Sequence, residues 1–188
     1  MTRARHVPLA LALVLSAPAA AVARPASTGY FAEAGFGAAV QLGEAGQSTA
    51  PGPQLAVRVG YEPWSWLALG IQLAASSHEA TVPAPPEGEW YQLYRGAAEV
   101  RLTGRLDRLA LMAEGGLGAV YISSNVLEKV AILEPGEALS LAVGAGAGLE
   151  YQLENRHYAL GLAGDWWLLP AFASTQAVEG RVYLRYTY

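Results

Sequence analysis

Two histidines beyond the first ten residues, His78 and His157, are the side chains best suited to act as a general base. His78 follows Ser76 and Ser77, which are residue types that a serine hydrolase requires together with a histidine. Adjacent residues of a β-strand point to opposite faces, so Ser77 and His78 are badly placed to react together. His157 starts a later segment beside a tight turn, where an interfacial histidine is the ordinary outcome. The chain is therefore predicted not to be an enzyme.

Glycines recur at every second position in the stretch Gly144-Ala145-Gly146-Ala147-Gly148. A dinucleotide-binding fingerprint has a different glycine spacing, opens a helix and has an acidic partner, none of which this stretch offers. The glycines instead predict positions of a strand that are kept small so that larger side chains fit opposite. The two histidines have no metal-ligand spacing, and the absence of cysteine excludes thiolate ligands and disulfides. We therefore expect neither a cofactor nor a bound metal.

Eight segments of the chain alternate apolar and polar residues with a period of two, which predicts eight β-strands. In the last segment, Val182, Leu184, Tyr186 and Tyr188 share one face, while Arg181 and Arg185 lie on the other. No charged residue falls on any of the eight apolar faces. The segments cover residues 30–42, 55–61, 67–75, 94–102, 109–121, 139–151, 158–168 and 180–188.

The first 23 residues have the features of a secretory signal peptide. Arg3 and Arg5 precede the apolar run VPLALALVLSA, which is too short to span a bilayer, and Ala21-Val22-Ala23 is a cleavage site. The predicted mature domain is then residues 24–188, with ten basic against 16 acidic side chains. This balance argues against a nucleic-acid partner, because phosphates require a basic surface.

Alternating strands fit either a secreted β-sandwich or a membrane barrel, and the connections and aromatic residues favour the barrel. Connections are long at 43–53, 76–89 and 123–137, intermediate at 169–175, and tight at 62–65, 103–107 and 154–156. Fifteen of the 18 aromatic residues map to strand ends, where they would form two interfacial belts. The belts comprise Tyr30, Phe31, Tyr61, Trp64, Trp66, Tyr151, Tyr158, Tyr186 and Tyr188 on the short-turn side, and Trp90, Tyr91, Tyr94, Tyr121, Trp166 and Trp167 on the long-loop side.

These features predict an all-β fold, an eight-stranded antiparallel up-and-down transmembrane β-barrel whose termini are periplasmic. The chain resembles the small eight-stranded outer-membrane barrels typified by the OmpA transmembrane domain and OmpX. The C-terminal alternation resembles the assembly signal of that family, carried here by Val182, Leu184, Tyr186 and Tyr188. The resemblance implies a bacterial outer-membrane location, contact with outer-membrane lipid, and recognition by the barrel-assembly machinery during biogenesis.

An eight-stranded barrel encloses space for side chains or one small ligand, so the charged faces predict a plugged polar lumen. An ion or proton path is possible in principle, but we favour a network whose charges satisfy one another, because unpaired buried charges are very costly. We expect a Glu33–Arg185 pair at the seam, with Arg58 as a competing partner, and an Asp165–Arg181 pair nearer the loops. The predicted lumen residues are Glu33, Arg58, Arg95, Glu99, Arg101, Glu114, Glu150, Asp165, Glu179, Arg181 and Arg185, together with Met112.

The long loops are the expected sites of recognition. They carry seven glutamates against Lys129 alone, and the third loop adds an apolar helical face formed by Val126, Leu127, Val130 and Leu133. We therefore expect a non-enzymatic barrel with a structural or surface-interaction role, in which this loop contacts lipid, an envelope protein or its own barrel mouth. One alternative is an accessory subunit of a multiprotein envelope machine for secretion or motility. Another is a lipid A-modifying enzyme, although the His-x-Ser arrangement of the lipid A deacylases is absent.

Overall fold

The computed structural model describes residues 28–81, 88–123, 138–172 and 175–188. The predicted signal peptide, residues 1–23, lies outside the described residues. So do the four apolar residues of the third loop, Val126, Leu127, Val130 and Leu133. No helix in the described part of the chain is long and apolar enough to cross a membrane.

Eight antiparallel strands form one closed barrel in which each strand pairs with its sequence neighbours and β1 also pairs with β8. This confirms the predicted fold class. We call the end that carries the β2–β3, β4–β5 and β6–β7 turns the turn end, and the opposite end the loop end. The elements are β1 (Gly29–Leu42), α1 (Glu44–Ser48), β2 (Gly52–Trp64), β3 (Leu67–Glu79), β4 (Trp90–Leu106), β5 (Leu109–Ile122), β6 (Leu139–Gln152), β7 (Tyr158–Leu169) and β8 (Thr175–Thr187).

Side chains alternate between the outside and the lumen along every strand, as the period-two pattern predicts. In β8, Val182 and Leu184 are exposed on the outside, whereas Arg181 and Arg185 are buried inside. The barrel is therefore the reverse of a soluble protein, with an apolar outer surface and a charged interior. Such an outer surface is stable where hydrocarbon surrounds it.

Three of the fifteen aromatic residues assigned to the belts point into the lumen. Phe31, Tyr91 and Trp167 are each at most 3% exposed, while the other twelve lie on the outside. The prediction was wrong for these three because it used only their position along the strand. Their phase within the alternation is that of the buried charged residues, so they face inward.

The strands extend further than the predicted segments. Pairing between β3 and β4 continues to Glu79 and Trp90, so His78 lies in a strand and the second loop begins later than predicted. At the turn end, β4 continues to Leu106, which leaves only Asp107 and Arg108 to form the β4–β5 turn. The ends of these strands are polar, so they lack the apolar alternation on which the strand predictions were based. Their backbones nevertheless continue the hydrogen-bonded pairing of the sheet.

Candidate functional site

The lumen contains all eleven charged residues that the sequence predicts there, each at most 8% exposed. It also holds Glu62 and Arg105, which the pattern placed in tight turns. Buried Gln54, Gln72 and Tyr183 take part in the same hydrogen-bonded network. The signal for these additional residues was present, since each lies in the inward phase of its strand.

Near the turn end, Arg185 and Arg105 share Glu62 between them. Arg185 Nη2 lies 2.5 Å from Glu62 Oε2, and Arg105 Nη2 lies 3.0 Å from Glu62 Oε1. The Arg185 guanidinium also lies over the Phe31 ring, 4.1 Å from its centroid. The ring thus supports the guanidinium from one side while carboxylates contact it from another.

Glu33 and Arg185 are direct partners in the β1–β8 register, and Arg185 Nη1 lies 3.5 Å from Glu33 Oε1. The predicted competitor Arg58 lies 3.3 Å from the other Glu33 oxygen. The shortest contact of Glu33 is nevertheless with Arg101 of β4, at 2.6 Å across the lumen. Glu33 and Arg185 therefore each contact further charged residues, and the β1–β8 seam contains a charge cluster instead of an isolated ion pair.

Two arginines in the middle of the barrel connect carboxylates from different strands. Arg101 contacts Glu33, Glu114 at 3.2 Å and Glu150 at 3.6 Å. Arg58 contacts Glu33, Glu114 at 2.8 Å and Glu99. Because their guanidinium donors reach across the interior, these side chains hold opposite walls of the barrel together.

The predicted contact between Arg181 and Asp165 is present, and Arg181 also lies 2.7 Å from Glu114. Closer to the loop end, Arg95 binds Glu179 and donates a 2.8 Å hydrogen bond to Gln72. The Arg95 guanidinium lies 4.0 Å from the centroid of the Trp167 ring. Trp167 thereby marks the level at which the charged filling of the lumen meets an apolar one.

The loop end of the lumen is closed by apolar side chains from the barrel wall and from two connections. Ala45 of α1 and Phe172, which follows β7, are both fully buried against this cluster. A 2.7 Å hydrogen bond from Gln41 to the Tyr91 hydroxyl crosses the mouth. We call this set the mouth cluster: Ala45, Ala80, Tyr91, Leu93, Ala97, Val120, Ile122, Ala142, Trp167, Leu169, Phe172 and Ala177.

His78 is paired with Ser76 and not with Ser77. Its Nε2 atom lies 3.0 Å from Ser76 Oγ, and its Nδ1 atom lies 3.2 Å from the carbonyl oxygen of Ala50. His78 is fully buried beside Tyr91 of the mouth cluster, and Ser76 is 8% exposed. The pair has the hydrogen bonding of a nucleophile and a base, but it lies in a closed interior.

The inward glycines of β6 make room for lumen side chains, as the sequence predicts. A Cβ atom at Gly144 would meet the Trp167 ring, and one at Gly146 would meet the Asp165 carboxylate. Outward Gly115 on the neighbouring strand has only a backbone oxygen at 3.8 Å. The glycine spacing thus follows the inner face of the barrel.

The residues of the predicted assembly signal lie on the outer face of β8. Val182, Leu184 and Tyr188 are exposed and Tyr186 is half-buried. His157, the second candidate base, binds the end of this strand. Its Nδ1 atom lies 2.6 Å from the Thr187 carbonyl oxygen, and its ring stacks on Tyr186 with centroids 5.7 Å apart.

The arrangement can hold fixed charges in the lumen, because guanidinium and carboxylate groups meet across it at several levels. Within the described residues, no group of three histidine, aspartate or glutamate side chains is placed to hold a metal ion. Among the described residues, nine buried side-chain polar atoms have no hydrogen-bond partner; they include Gln41 Oε1 and Trp167 Nε1 near the mouth, and Arg58 Nε and Arg95 Nε in the charged network.

Residues 7–166 match the model of a known family, the outer membrane protein beta-barrel domain. No match is found among curated protein sequences. The fold is similar to that of Neisserial surface protein A, with a TM-score of 0.64, 14% identity and coverage of 86% of this chain and 98% of that one. It is also similar to OprG from Pseudomonas aeruginosa, with a TM-score of 0.54, 15% identity and coverage of 87% and 98%.

The outer membrane enzyme PagL has a similar fold as well, with a TM-score of 0.50, 15% identity and coverage of 84% of this chain and 99% of that one. At these identities the likeness concerns the fold, which is shared by proteins of different function. The family match covers most of the chain and agrees with the closed barrel, the apolar outside and the aromatic belts. The chain belongs to the outer membrane protein beta-barrel domain family.

Proposed function

We propose that this protein is a closed, non-enzymatic barrel of the bacterial outer membrane that presents its loop end as an interaction surface. The observation that carries the proposal is the double closure of the lumen. Arg101 and Arg58 join carboxylates across its middle, and the mouth cluster fills its loop end. A barrel filled in this way offers its outer surfaces, and not its interior, for contact with other molecules.

A non-enzymatic role is supported by the position of the candidate base. His78 is fully buried, and its hydrogen bonds go to Ser76 and to the Ala50 carbonyl oxygen of its own chain. A lipid substrate would have to displace α1 and the mouth cluster to reach it. His157 is occupied by the Thr187 carbonyl oxygen and by the Tyr186 ring.

We further propose that the turn end faces the periplasm and the loop end faces the exterior. Short turns on the periplasmic side and longer loops outside are the general pattern of bacterial outer-membrane barrels. The cysteine-free chain permits a direct test with two variants, Thr81→Cys at the loop end and Asn155→Cys at the turn end, both exposed positions. A membrane-impermeant maleimide should label only Thr81→Cys on intact cells, and labelling of Asn155→Cys alone would reverse the orientation.

The closed lumen predicts that the purified protein gives no conductance steps in planar lipid bilayers. Replacing residues 44–48 by a Gly-Ser linker should leave the barrel silent, because the charged network lies below α1. Steps in the unaltered protein would contradict the closed lumen. Steps only in the linker variant would show that α1 is a gate and that the network leaves a path.

The proposed interaction surface is tested through the third loop, with Val126, Leu127 and Val130 all changed to Ser. We expect this variant to keep the heat-modifiable folded band and to lose stoichiometric partners that co-purify in mild detergent. A matched control with Val126→Ile, Leu127→Met and Val130→Ile should retain them. Equal recovery of partners from both variants would remove this loop from the proposal.

The mass of lipid A tests the alternative of an enzyme. A change in the mass of lipid A when the wild-type protein is expressed, and no change when His78→Asn is expressed, would favour an enzyme instead.

A further inference from the structure

The outer surface is not uniformly covered by large side chains. An open groove of about 710 Å³ crosses β1, β2 and β3 near the turn end. Its lining side chains include Tyr30, Tyr61 and Tyr188 at one end, with Leu69 and Ile71 along the side and Ala32 as the smallest member.

The depth of the groove follows from Ala32, a small outward residue of β1 that lies between the larger Tyr30, Val59 and Tyr61. Gly60 and Gly70 are direct partners in the β2–β3 register, and both line the groove. On the lumen side, the Phe31 ring occupies the space that side chains at these glycines would need; its Cζ atom lies 2.6 Å from a Cβ built at Gly60 and 3.4 Å from one built at Gly70. The two glycines therefore allow the Phe31 ring to support this part of the wall from inside, whereas the depth on the outside depends on the small side chain of Ala32.

A register irregularity between Tyr61 and Trp64 closes the turn end of the groove. Such irregularities re-aim side chains and increase the local twist of a strand. Tyr61 meets Tyr30 with ring centroids 5.0 Å apart in a tilted arrangement. Tyr188 is anchored beside them by a 2.9 Å hydrogen bond from its backbone nitrogen to the Tyr30 carbonyl oxygen.

The groove has a polarity gradient along its length. Tyr30, Tyr61 and Tyr188 belong to the aromatic belt of the turn end, at the depth where phenol rings meet lipid headgroups. Leu69 and Ile71, which are 47% and 58% exposed, continue the groove into the hydrocarbon layer. An occupant should therefore have a hydrogen-bonding head at the level of the phenols and a flexible apolar chain beyond it.

We propose that this groove holds one phospholipid of the periplasmic leaflet as a resident ligand, with an acyl chain along Ala32 and Ile71 and the headgroup at the three phenols. The leaflet rests on the proposed orientation of the barrel. The rival occupant is a second copy of the chain. Its apolar outer strands would fill the groove but would leave the three phenol hydroxyls without the headgroup acceptors that a phospholipid supplies.

A second groove on the outer surface provides a comparison. It lies nearer the loop end, measures about 420 Å³ and is lined by Leu55, Leu73, Ala75, Tyr94 and Gly96 among others. It has one phenol in place of three. The proposal therefore assigns the resident lipid to the turn-end groove and expects no comparable retention at this second site.

The test uses native mass spectrometry of the protein extracted from outer membranes in mild detergent. Ala32→Phe fills the groove without adding atoms to the lumen. Ala98→Phe adds the same side chain at an exposed outward alanine of β4 that lines neither groove. We expect one bound phospholipid in the wild-type protein and in Ala98→Phe, and at least a tenfold lower bound fraction in Ala32→Phe. The triple variant Tyr30→Phe, Tyr61→Phe, Tyr188→Phe should retain lipid but lose headgroup preference when phosphatidylethanolamine and phosphatidylglycerol compete.

Equal lipid retention in Ala32→Phe and Ala98→Phe, or none in the wild-type protein, would overturn the proposal. A dimer that only Ala32→Phe abolishes would assign the groove to a second copy. Bound lipopolysaccharide in place of phospholipid would overturn the assigned leaflet. In that case, the cysteine-labelling experiment separates a reversed barrel from a groove that selects another lipid. Both Phe variants must show the folded band at wild-type levels. If the wild-type protein binds no phospholipid even after refolding in phospholipid vesicles, that result counts against the proposal.

Discussion

Toward the turn end the lumen is filled by arginine and glutamate side chains, whereas at the loop end it is filled by alanine, leucine and aromatic side chains. The two fillings meet where the Arg95 guanidinium lies over the Trp167 ring. Below this level, each charged group depends on partners from other strands. Above it, closure depends on shape and on connections such as α1 that lie outside the barrel wall.

The difference has an energetic consequence. Exchanging a buried ion pair for apolar groups can be nearly neutral, but removing one member leaves an uncompensated charge. Loss of an apolar contact exposes no such charge, and the mouth lies next to connections that can adjust. We therefore expect the network to be sensitive to single substitutions and the mouth cluster to be more tolerant.

The largest effect is expected from Arg101→Met, which removes the partner of Glu33, Glu114 and Glu150 but keeps a long side chain. The free energy of unfolding should fall by about 3–5 kcal/mol. Urea titration of the protein refolded into lipid vesicles measures this change. Adding Glu33→Gln to Arg101→Met should recover part of the loss, because fewer charges then lack a partner.

The matched control for this prediction is Arg108→Met at the β4–β5 turn. Arg108 forms a 3.8 Å contact with Glu154, whose side chain is 89% exposed. Solvent screens surface pairs of this kind, so we expect no measurable change in the free energy of unfolding. If the two arginine variants lost stability equally, the comparison between a buried network and its surroundings would fail.

The period-two pattern gives the phase of each strand, and it predicted eleven of the charges in the lumen; Glu62 and Arg105, at strand ends, were not among them. It was not sufficient to predict their partners. The contact between Arg101 on β4 and Glu33 on β1 depends on the stagger of the strands and on side-chain conformations across the interior. Neither quantity is encoded in the local sequence of either strand.

The mouth cluster was missed for a different reason. Ala45 and Phe172 lie in connections, where no period indicates which side chain turns inward. Tyr91 and Trp167 had the correct phase, but their position at strand ends favoured the membrane belts. The groove on the outer surface was likewise not predicted, because Ala32 and its larger neighbours Val59 and Tyr61 are brought together only by the β1–β2 register.

Gly144 and Gly115 lie on the paired strands β6 and β5 but face the lumen and the outside, respectively. Alanine substitutions at these two positions therefore compare the mouth with the outer surface. Gly144→Ala would push a methyl group into the Trp167 ring, which is held between the mouth cluster and Arg95. Overpacking of this kind destabilises by about 1–3 kcal/mol. Gly115→Ala has room outside and should be neutral or stabilising by up to about 1 kcal/mol. Thermal shift of the folded band under identical detergent conditions measures both, and equal shifts would contradict the assignment of faces.

The smallest effect is expected from the hydrogen bond that crosses the mouth, from Gln41 Nε2 to the Tyr91 hydroxyl. Tyr91→Phe retains the ring and its stacking on His78, whose centroid lies 5.5 Å away, and removes the hydroxyl that bonds both Gln41 and Thr49. The Gln41 bond alone should contribute about 1 kcal/mol, the usual net value of one such bond. A double-mutant cycle with Gln41→Leu isolates it, because both single variants remove the same contact. A coupling energy near that value would show that the mouth is held by separable contacts. A coupling as large as the loss in Arg101→Met would show instead that the mouth and the charged network unfold as one unit.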